Sequence, residues 1–535
     1  MGFFSRPARR APMSDATLRA MDAALAAPRS PQKRQFAGAV VNRLTASWLA
    51  TNWAIDAELR TDLDKLRARS REQFKNNEFA HAFGRIVTTN VVGPNGFKLR
   101  ARALDPDGTP DKAANQAVET AWETWSRPTN CDVAGKRSFI GLCNAATLAL
   151  ARDGEYLIRK RVGAGAGPFG FQLQMLDVDR LDTFYNVLPA NGRNAVIMGV
   201  EVDPWRRPVA YHLWNRHVTE AADVSRFRER VPANEIFHAF VPLEDEQTRG
   251  VPWLHAAMRR MRDLDGYREA AVIAARVGAS KMGFFTSPDG EPPMAVEGQD
   301  AHGNFISEAT PGAFETVPAG YKFEPFNPDY PHAQFDAFCK ASLRGIASAI
   351  GVGYPSLNND LENVNYSSLR QGALEERDTW MCIQTFVVEQ LLMPLFEEWL
   401  EMALLRGAIL LPNGSALPLA KKPKFAQHLW QPRRWSWVDP LKEMAANVLG
   451  IENGLISPQQ VAAITGRDTD HVLDELAAFR ATLKEKGIEL AGTTVPTGNV
   501  KTAVAGSGQE GAPVPPPTPA KAPSTPSAKS RNGLP

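Results

Sequence analysis

The chain has 535 residues, 44% of them hydrophobic and 22% charged, proportions that exclude wholesale disorder and a fibrous fold. At roughly 150 residues per domain, that length predicts about three to four structural units. The net charge of +2 is unevenly spread: residues 1–35 carry +5 (Arg6, Arg9, Arg10, Arg19, Arg29, Lys33 and Arg34 against Asp15 and Asp22), residues 491–535 carry +3, and residues 36–490 carry −6. An acidic body inside a basic periphery is a poor gripper of nucleic acid, because phosphate binding needs Lys and Arg concentrated on the folded surface.

In chain order, residues 1–35 read as a flexible basic arm, and Met1–Ser30 has no apolar core of the kind a secretory signal needs. Leu59–Thr89 has helical periodicity, and Asn95-Gly96 between apolar runs predicts a hairpin turn leading into a strand. Helices are expected over Ala113–Trp125 and Phe139–Ala151, then strands over Glu155–Val162, Phe171–Leu176, Ala195–Val202 and Val209–Trp214, which makes 90–240 an α+β unit. Pro252 suits the first turn of a helix over Trp253–Ser280. The proline- and glycine-containing stretch 283–327 reads as a small β-rich insertion, and a second helix is expected over His332–Ile350. A loop over Gly351–Asn365 then leads to a long helix from Ser368, where Ser368 and Gln371 would form a capping box and Pro394 a kink. From Gly492 onward proline, alanine, serine and threonine dominate, as in a disordered tail.

The motifs exclude more than they assign. Cys131, Cys143, Cys339 and Cys382 are far apart with no C-x-x-C pair, so a disulfide framework and a zinc ribbon are not expected, and a reducing compartment fits. Gly165-Ala166-Gly167-Pro168-Phe169-Gly170 matches G-x-G-x-x-G, but the alternating residues after it predict a strand where a dinucleotide site needs a helix. There is no P-loop, no H-E-x-x-H and no G-x-S-x-G, and neither a cofactor nor a metal is expected. The apolar run Phe386–Phe396 is interrupted by Glu389 and Pro394 and is too short to span a bilayer, so no membrane partner is expected. Asp177, Asp179 and Asp182 follow a strand. They read first as a turn with Arg180 neutralising a neighbour, and alternatively as the Mg²⁺ ligands of a nucleic-acid-processing enzyme.

One segment stands out for its charge. Asn358, Asn359, Asp360, Glu362, Asn363, Asn365, Tyr366, Ser367 and Ser368 form an amide-rich polar loop, and residues 358–401 carry nine acids against Arg370 and Arg377, a net of −7. Such a surface repels phosphates.

A set of ordered segments resembles the lambda-type portal proteins of tailed bacteriophages. These are Arg69-Ser70-Arg71 through Asn76-Asn77, Asn90-Val91-Val92-Gly93, Trp122 and Trp125 with Cys131-Asp132, Arg152-Asp153-Gly154-Glu155, and Leu173 through Leu181. They continue with Gly199-Val200-Glu201, Pro208 through Tyr211, Val231-Pro232-Ala233, His238, Gln247 through Leu254, Asn365 through Arg370 and Trp437-Val438-Asp439-Pro440. The resemblance spans roughly residues 45–485.

It implies a portal-type α+β architecture and a ring-shaped, usually dodecameric, channel at one capsid vertex that has no catalytic activity. Residues 36–253 and 368–430 would form a mixed α/β wing with a long kinked helix, 254–282 and 328–351 the stem helices, and 283–327 the clip. Residues 352–367 would form the tunnel loop and 431–490 a helical crown. The implied partners are other copies of the chain, the terminase large subunit, head-tail connector proteins, a major capsid or scaffold protein, and double-stranded DNA passing weakly held through the channel during packaging and ejection. The implied location is the virion, reached through assembly in the host cytoplasm. A non-channel scaffold or adaptor acting through its tails is the other alternative.

Overall fold

The computed structural model describes residues 43, 47 and 52–487, except 191–192, 218, 220–225, 280–282, 287–321, 326–333, 363–364, 436–439 and 465–468. The expected arm over 1–35, the tail over 491–535 and most of the 283–327 insertion lie outside the described residues.

The expected single helix over Leu59–Thr89 is two, α1 (Ile55–Asn76) and α2 (Glu78–Val91). Asn77 separates them: its backbone is extended, and its side-chain oxygen accepts from the N–H groups of Phe79 and Ala80 at 3.0 and 2.9 Å. An asparagine cap therefore interrupts an apolar pattern that runs straight through it. Asn95-Gly96 is followed by strand β1 (Lys98–Ala101), as expected, but β1 does not close a local hairpin. Its antiparallel partner is a strand far along the chain, with Leu99 opposite Trp430.

Helices α3 (Lys112–Trp125) and α4 (Phe139–Asp153) start at side-chain caps, Asp111 and Ser138, and α4 ends at Gly154 in the left-handed region (φ +89°). Strands β2 (Glu155–Val162) and β3 (Phe171–Leu176) fall where the sequence places them, and the glycine-rich segment between them is a hairpin loop, not the opening of a helix. The expected strand over Ala195–Val202 folds back on itself as β4 (Ala195–Ile197) and β5 (Val200–Val202). Met198 (φ +47°) and Gly199 (φ +85°) supply the two positive φ values that a tight two-residue hairpin turn requires. Then come β6 (Pro208–Trp214), β7 (Arg228–Pro232) and β8 (Ile236–Phe240). Two antiparallel sheets result, ordered β3-β2-β8 and β4-β5-β6-β7. Leu157, Leu176, Val200, Tyr211, Leu213 and Val231 pack together in one core.

Helix α5 (Met258–Ala279) begins later than expected, since residues 253–257 form turns in which Trp253 N–H donates to the Ala151 carbonyl at 3.0 Å. Strands β9 (Gly283–Thr286) and β10 (Lys322–Pro325) pair antiparallel at the two ends of the insertion, and α6 (Phe335–Ala349) runs back alongside α5. Tyr267 on α5 stacks on Phe335 and meets Phe338, with ring centroids 5.5 and 4.8 Å apart.

After the short helix α7 (Tyr354–Asn358) comes the long helix, α8 (Tyr366–Val387) and α9 (Met393–Leu405), joined by a π turn at Val388–Leu392. Pro394 has no N–H for the carbonyl of Gln390 four residues back, and the Tyr156 hydroxyl lies 3.5 Å from that carbonyl. The expected kink is thus a local change of helix type. By length and composition alone Ser367–Leu405 could cross a membrane, but Leu391, Leu392, Leu395, Phe396, Trp399 and Leu400 are buried inside the fold. Strand β11 (His428–Gln431) and helices α10 (Pro440–Glu452), α11 (Pro458–Ile464) and α12 (Thr469–Lys486) complete the described chain.

The core gathers segments from both halves of the sequence. Trp122 of α3 meets Trp399 of α9 edge-on at 4.9 Å, Phe139 of α4 at 5.0 Å and Trp430 of β11 at 5.4 Å. The indole N–H of Trp125 donates to the Phe171 carbonyl of β3 at 2.8 Å, so burying this ring leaves no donor unpaired.

Candidate functional site

Glu155, the first residue of β2, has a fully buried carboxylate held by donors from several elements. Its carboxylate accepts from the Arg67 guanidinium on α1, from Arg249 Nε and Nη2 at 2.9 and 2.6 Å, from the Gly250 N–H at 2.7 Å and from His238 Nε2 of β8 at 3.0 Å. Arg67 also donates to the Asp153 carbonyl at 3.2 Å, and Arg249 to the Met198 carbonyl at 2.7 Å. Burial alone would raise the carboxyl's pKa, but Arg249 and Arg67 beside it hold it well below the usual carboxylate range. The backbones must approach closely for this: a Cβ on Gly154 would strike the Val251 backbone, and one on Gly250 the Gly154 carbonyl. Glu155, Gly199, His238, Arg249 and Gly250 all lie in segments that carry the sequence resemblance, but the sequence did not point to Glu155 as their centre, nor to Arg67 at all. The available signal was an acid directly after glycine, followed by the apolar run Tyr156-Leu157-Ile158.

Beside this node lies the carboxylate turn. Asp177 caps it by accepting from the Asp179 N–H at 2.9 Å. The neutralising cation is Arg71, not Arg180: Arg71 reaches Asp153 at 2.6 Å, Asp177 at 2.8 Å and Asp179 at 2.5 Å, while Arg180 donates to the carbonyls of Trp214 and Asn215. Asp177, Asp179 and His217 lie near enough together to hold a metal ion, but Asp182 is not of that group and faces the Phe184 N–H and Arg228. A divalent ion bridging Asp177 and Asp179 would have to displace the guanidinium already bound to both, so the residues form an ion-pair network that fits a metal poorly.

The polar loop between α6 and α8 is held at both ends. Gly351 (φ +70°) turns the chain out of α6, and buried Val352 and Leu357 pin α7 to the body. The Tyr354 hydroxyl donates to Asp360 at 2.7 Å and accepts from the Asn358 amide at 3.2 Å, while Asn359 takes a left-handed conformation (φ +52°). Lys340 on α6 reaches across to Glu362 at 2.9 Å and pairs along its own helix with Asp336 at 3.0 Å. Glu376 of α8 accepts from Ser356 and the Gly353 N–H. Helix α8 starts at Tyr366, not Ser368, and its cap is Asn365, which accepts from the Ser368 N–H at 2.8 Å. The expected capping box is absent because Gln371 turns to Glu375 instead. Ser367 and Ser368 are exposed in the first turn, and Asn363 lies outside the described residues. The acidity of 358–401 is partly compensated, since Glu362, Glu398 and Glu401 pair with Lys340, Lys160 and Lys422, while Asp378, Glu389 and Glu397 stay exposed.

Replacing Arg249 with Met leaves Glu155 buried beside one fewer cation and should cost about 3–5 kcal/mol, read as a lowered denaturant midpoint. A depressed carboxyl stabilises the fold above its unfolded pKa and loses that contribution as pH falls through its folded value. Glu201, held down to about 2 chiefly by its hydrogen bond from Arg230, should therefore make the melting temperature fall between about pH 4.3 and 2. In Glu201→Gln that fall should be shallower, and an unchanged profile would count against the pairing.

The chain matches the description "Phage portal protein, lambda family" over residues 41–384. It is 36% identical over 467 residues to the probable portal protein of Halomonas phage phiHAP-1, covering 85% of this chain and 88% of that one. It is 24% identical to portal protein B of Escherichia phage lambda, covering 80% and 85%. Among solved structures it is similar to a chain from the neck of a native gene transfer agent particle computed with C12 symmetry, at 14% identity and a TM-score of 0.38, covering 76% of this chain and 94% of that one. The 344 matched residues include the Glu155 node, the insertion between α5 and α6 and the polar loop, and the chain belongs to the lambda family of phage portal proteins.

Proposed function

We propose that copies of this chain close into a ring, a dodecamer, at one vertex of the phage capsid, where double-stranded DNA enters during packaging and leaves at ejection. The observation that carries this is membership of the portal family across 41–384. In this reading the body around the Glu155 node and the long helix is the wing, α5 and α6 are the stem, and 283–327 is the clip facing the terminase large subunit and the head-tail connector. Residues 352–367 are the tunnel loop and 431–490 the crown. Capsid or scaffold protein would meet the ring from outside during assembly in the host cytoplasm. The role is structural, without catalysis.

Three features support the assignment. Helices α5 and α6 are held side by side by Tyr267, Phe335 and Phe338, and β9 pairs with β10 where the insertion leaves them, so the insertion is carried on a stiff two-helix support. Asn77 and Glu78 tie α5 to the wing through Asp265 and Arg268. Lastly, the loop after α6 is polar and acidic yet anchored by Lys340 and Glu376, which suits a surface that DNA must pass without sticking, since a basic lining would trap it.

Negative-stain electron microscopy of the purified full-length protein should give rings with a central hole and high rotational symmetry, and dispersed small particles at every salt and concentration tried would overturn the proposal. The variant Glu362→Lys should still form rings, because its side chain is exposed and Asp360 still anchors the loop to Tyr354, but should lower the DNA packaged per head in an assembly assay. Unimpaired packaging would remove the loop from the DNA path.

A further inference from the structure

A cleft of about 390 Å³ opens between α1, α2 and α4. Its floor is apolar, made by Phe74 and Leu148. Gly84 makes that floor possible, since a Cβ there would come within 2.9 Å of the Phe74 ring. Its rim is cationic, carrying Arg71, Lys75, Arg85 and Arg152, with Asp177 as the carboxylate among the lining residues. Two of these cations are already used: Arg71 binds Asp153, Asp177 and Asp179, and Arg152 binds Asp153. The side chains of Lys75 and Arg85 are exposed and make no ion pair or hydrogen bond among the described residues. They sit on successive helices, α1 and α2, at the mouth of an apolar hollow.

We propose that this cleft docks an acidic, leucine-bearing peptide segment of a partner protein, with an apolar side chain on Phe74 and Leu148 and flanking carboxylates on Lys75 and Arg85. Charge selects this occupant. The chain's own basic termini, +5 over 1–35 and +3 over 491–535, are repelled by the same rim. A nucleic-acid backbone is a poorer fit, because it needs a track of cations along a groove and here would meet two unengaged cations with the Asp177 carboxylate among the lining residues. The apolar floor also gains nothing from a phosphate, whereas an apolar centre inside a polar rim is the ordinary anatomy of a protein–protein contact.

The probe is a fluorescein-labelled eight-residue peptide alternating Asp and Leu, titrated into the assembled full-length protein and followed by anisotropy. Saturable binding should weaken about tenfold in Lys75→Met/Arg85→Met, a double variant that removes only exposed, unpaired side chains. An equal charge change elsewhere, Lys98→Met/Lys136→Met, should leave the affinity as it was. Peptides with Asn for Asp, or Ser for Leu, should each bind more weakly than the parent. The proposal is overturned if the parent peptide fails to bind at millimolar concentration, if both double variants weaken it equally, or if the Ser peptide binds as well as the Leu peptide. It is also overturned if inorganic phosphate or a short DNA duplex displaces the peptide at concentrations comparable to the peptide's own, since either result would make the cleft a general anion site.

Discussion

A carboxylate with no access to water sits at the junction of nearly every element of the α+β body. Glu155 could not be ionised there without Arg67, Arg249, His238 and the Gly250 N–H, and none of those partners could be buried without it. Because the donors come from α1, β8 and the segment entering α5, satisfying one charge fixes the positions of all three. The close approach of Gly154 and Gly250 is part of the same requirement, since any side chain at either position would hold the backbones apart. Arg71 extends the network outward to Asp177 and Asp179, so carboxylates that resemble a metal site in sequence serve instead to join α1 to the turn after β3.

Much of this was legible in the residues. Strand β3 alternates apolar and polar residues, β2 opens on an apolar run, and both lie where the sequence places them. What escaped was governed by single polar side chains or by distant partners. Asn77 splits a continuous apolar pattern because its amide caps α2, and periodicity alone does not register a cap. Strand β1 reads as half of a local hairpin, yet its partner lies over three hundred residues away, a pairing that no local signal encodes. The start of α8 at Asn365 shows two competing caps a few residues apart, decided by where the side chains reach.

The polar loop after α6 is plain in composition but not in restraint. Its composition marks it as polar, but its restraint by Lys340 from α6 and by Glu376 from α8 depends on how three helices meet. The same holds for charge: a net of −7 over 358–401 describes a stretch of chain, whereas in the fold several of those acids face lysines from other elements. The basic cleft between α1, α2 and α4 has no sequence signature, since Lys75 and Arg85 are unremarkable residues until Gly84 lets Phe74 lie beneath them.

The π turn at Val388–Leu392 alters the phase of the long helix. Val387, Leu391, Leu395, Trp399 and Ala403, all buried, repeat every four residues, and in a pure α-helix each such step drifts by about 40° around the axis. Adding one residue to a single turn absorbs part of that drift, so α9 can aim its apolar ridge at the tryptophan core while α8 keeps its own orientation toward α2 and the loop. The two halves of the helix thereby become independent in rotation though continuous in backbone. Winding the same five residues as α-helix would leave the helix unbroken but rotate α8 by roughly 90° relative to α9, carrying Gln384 away from the carbonyls of Asn90, Val91 and Arg433 that it now binds. The alignment of the polar loop with the body is thus set by how the five residues Val388–Leu392 are wound.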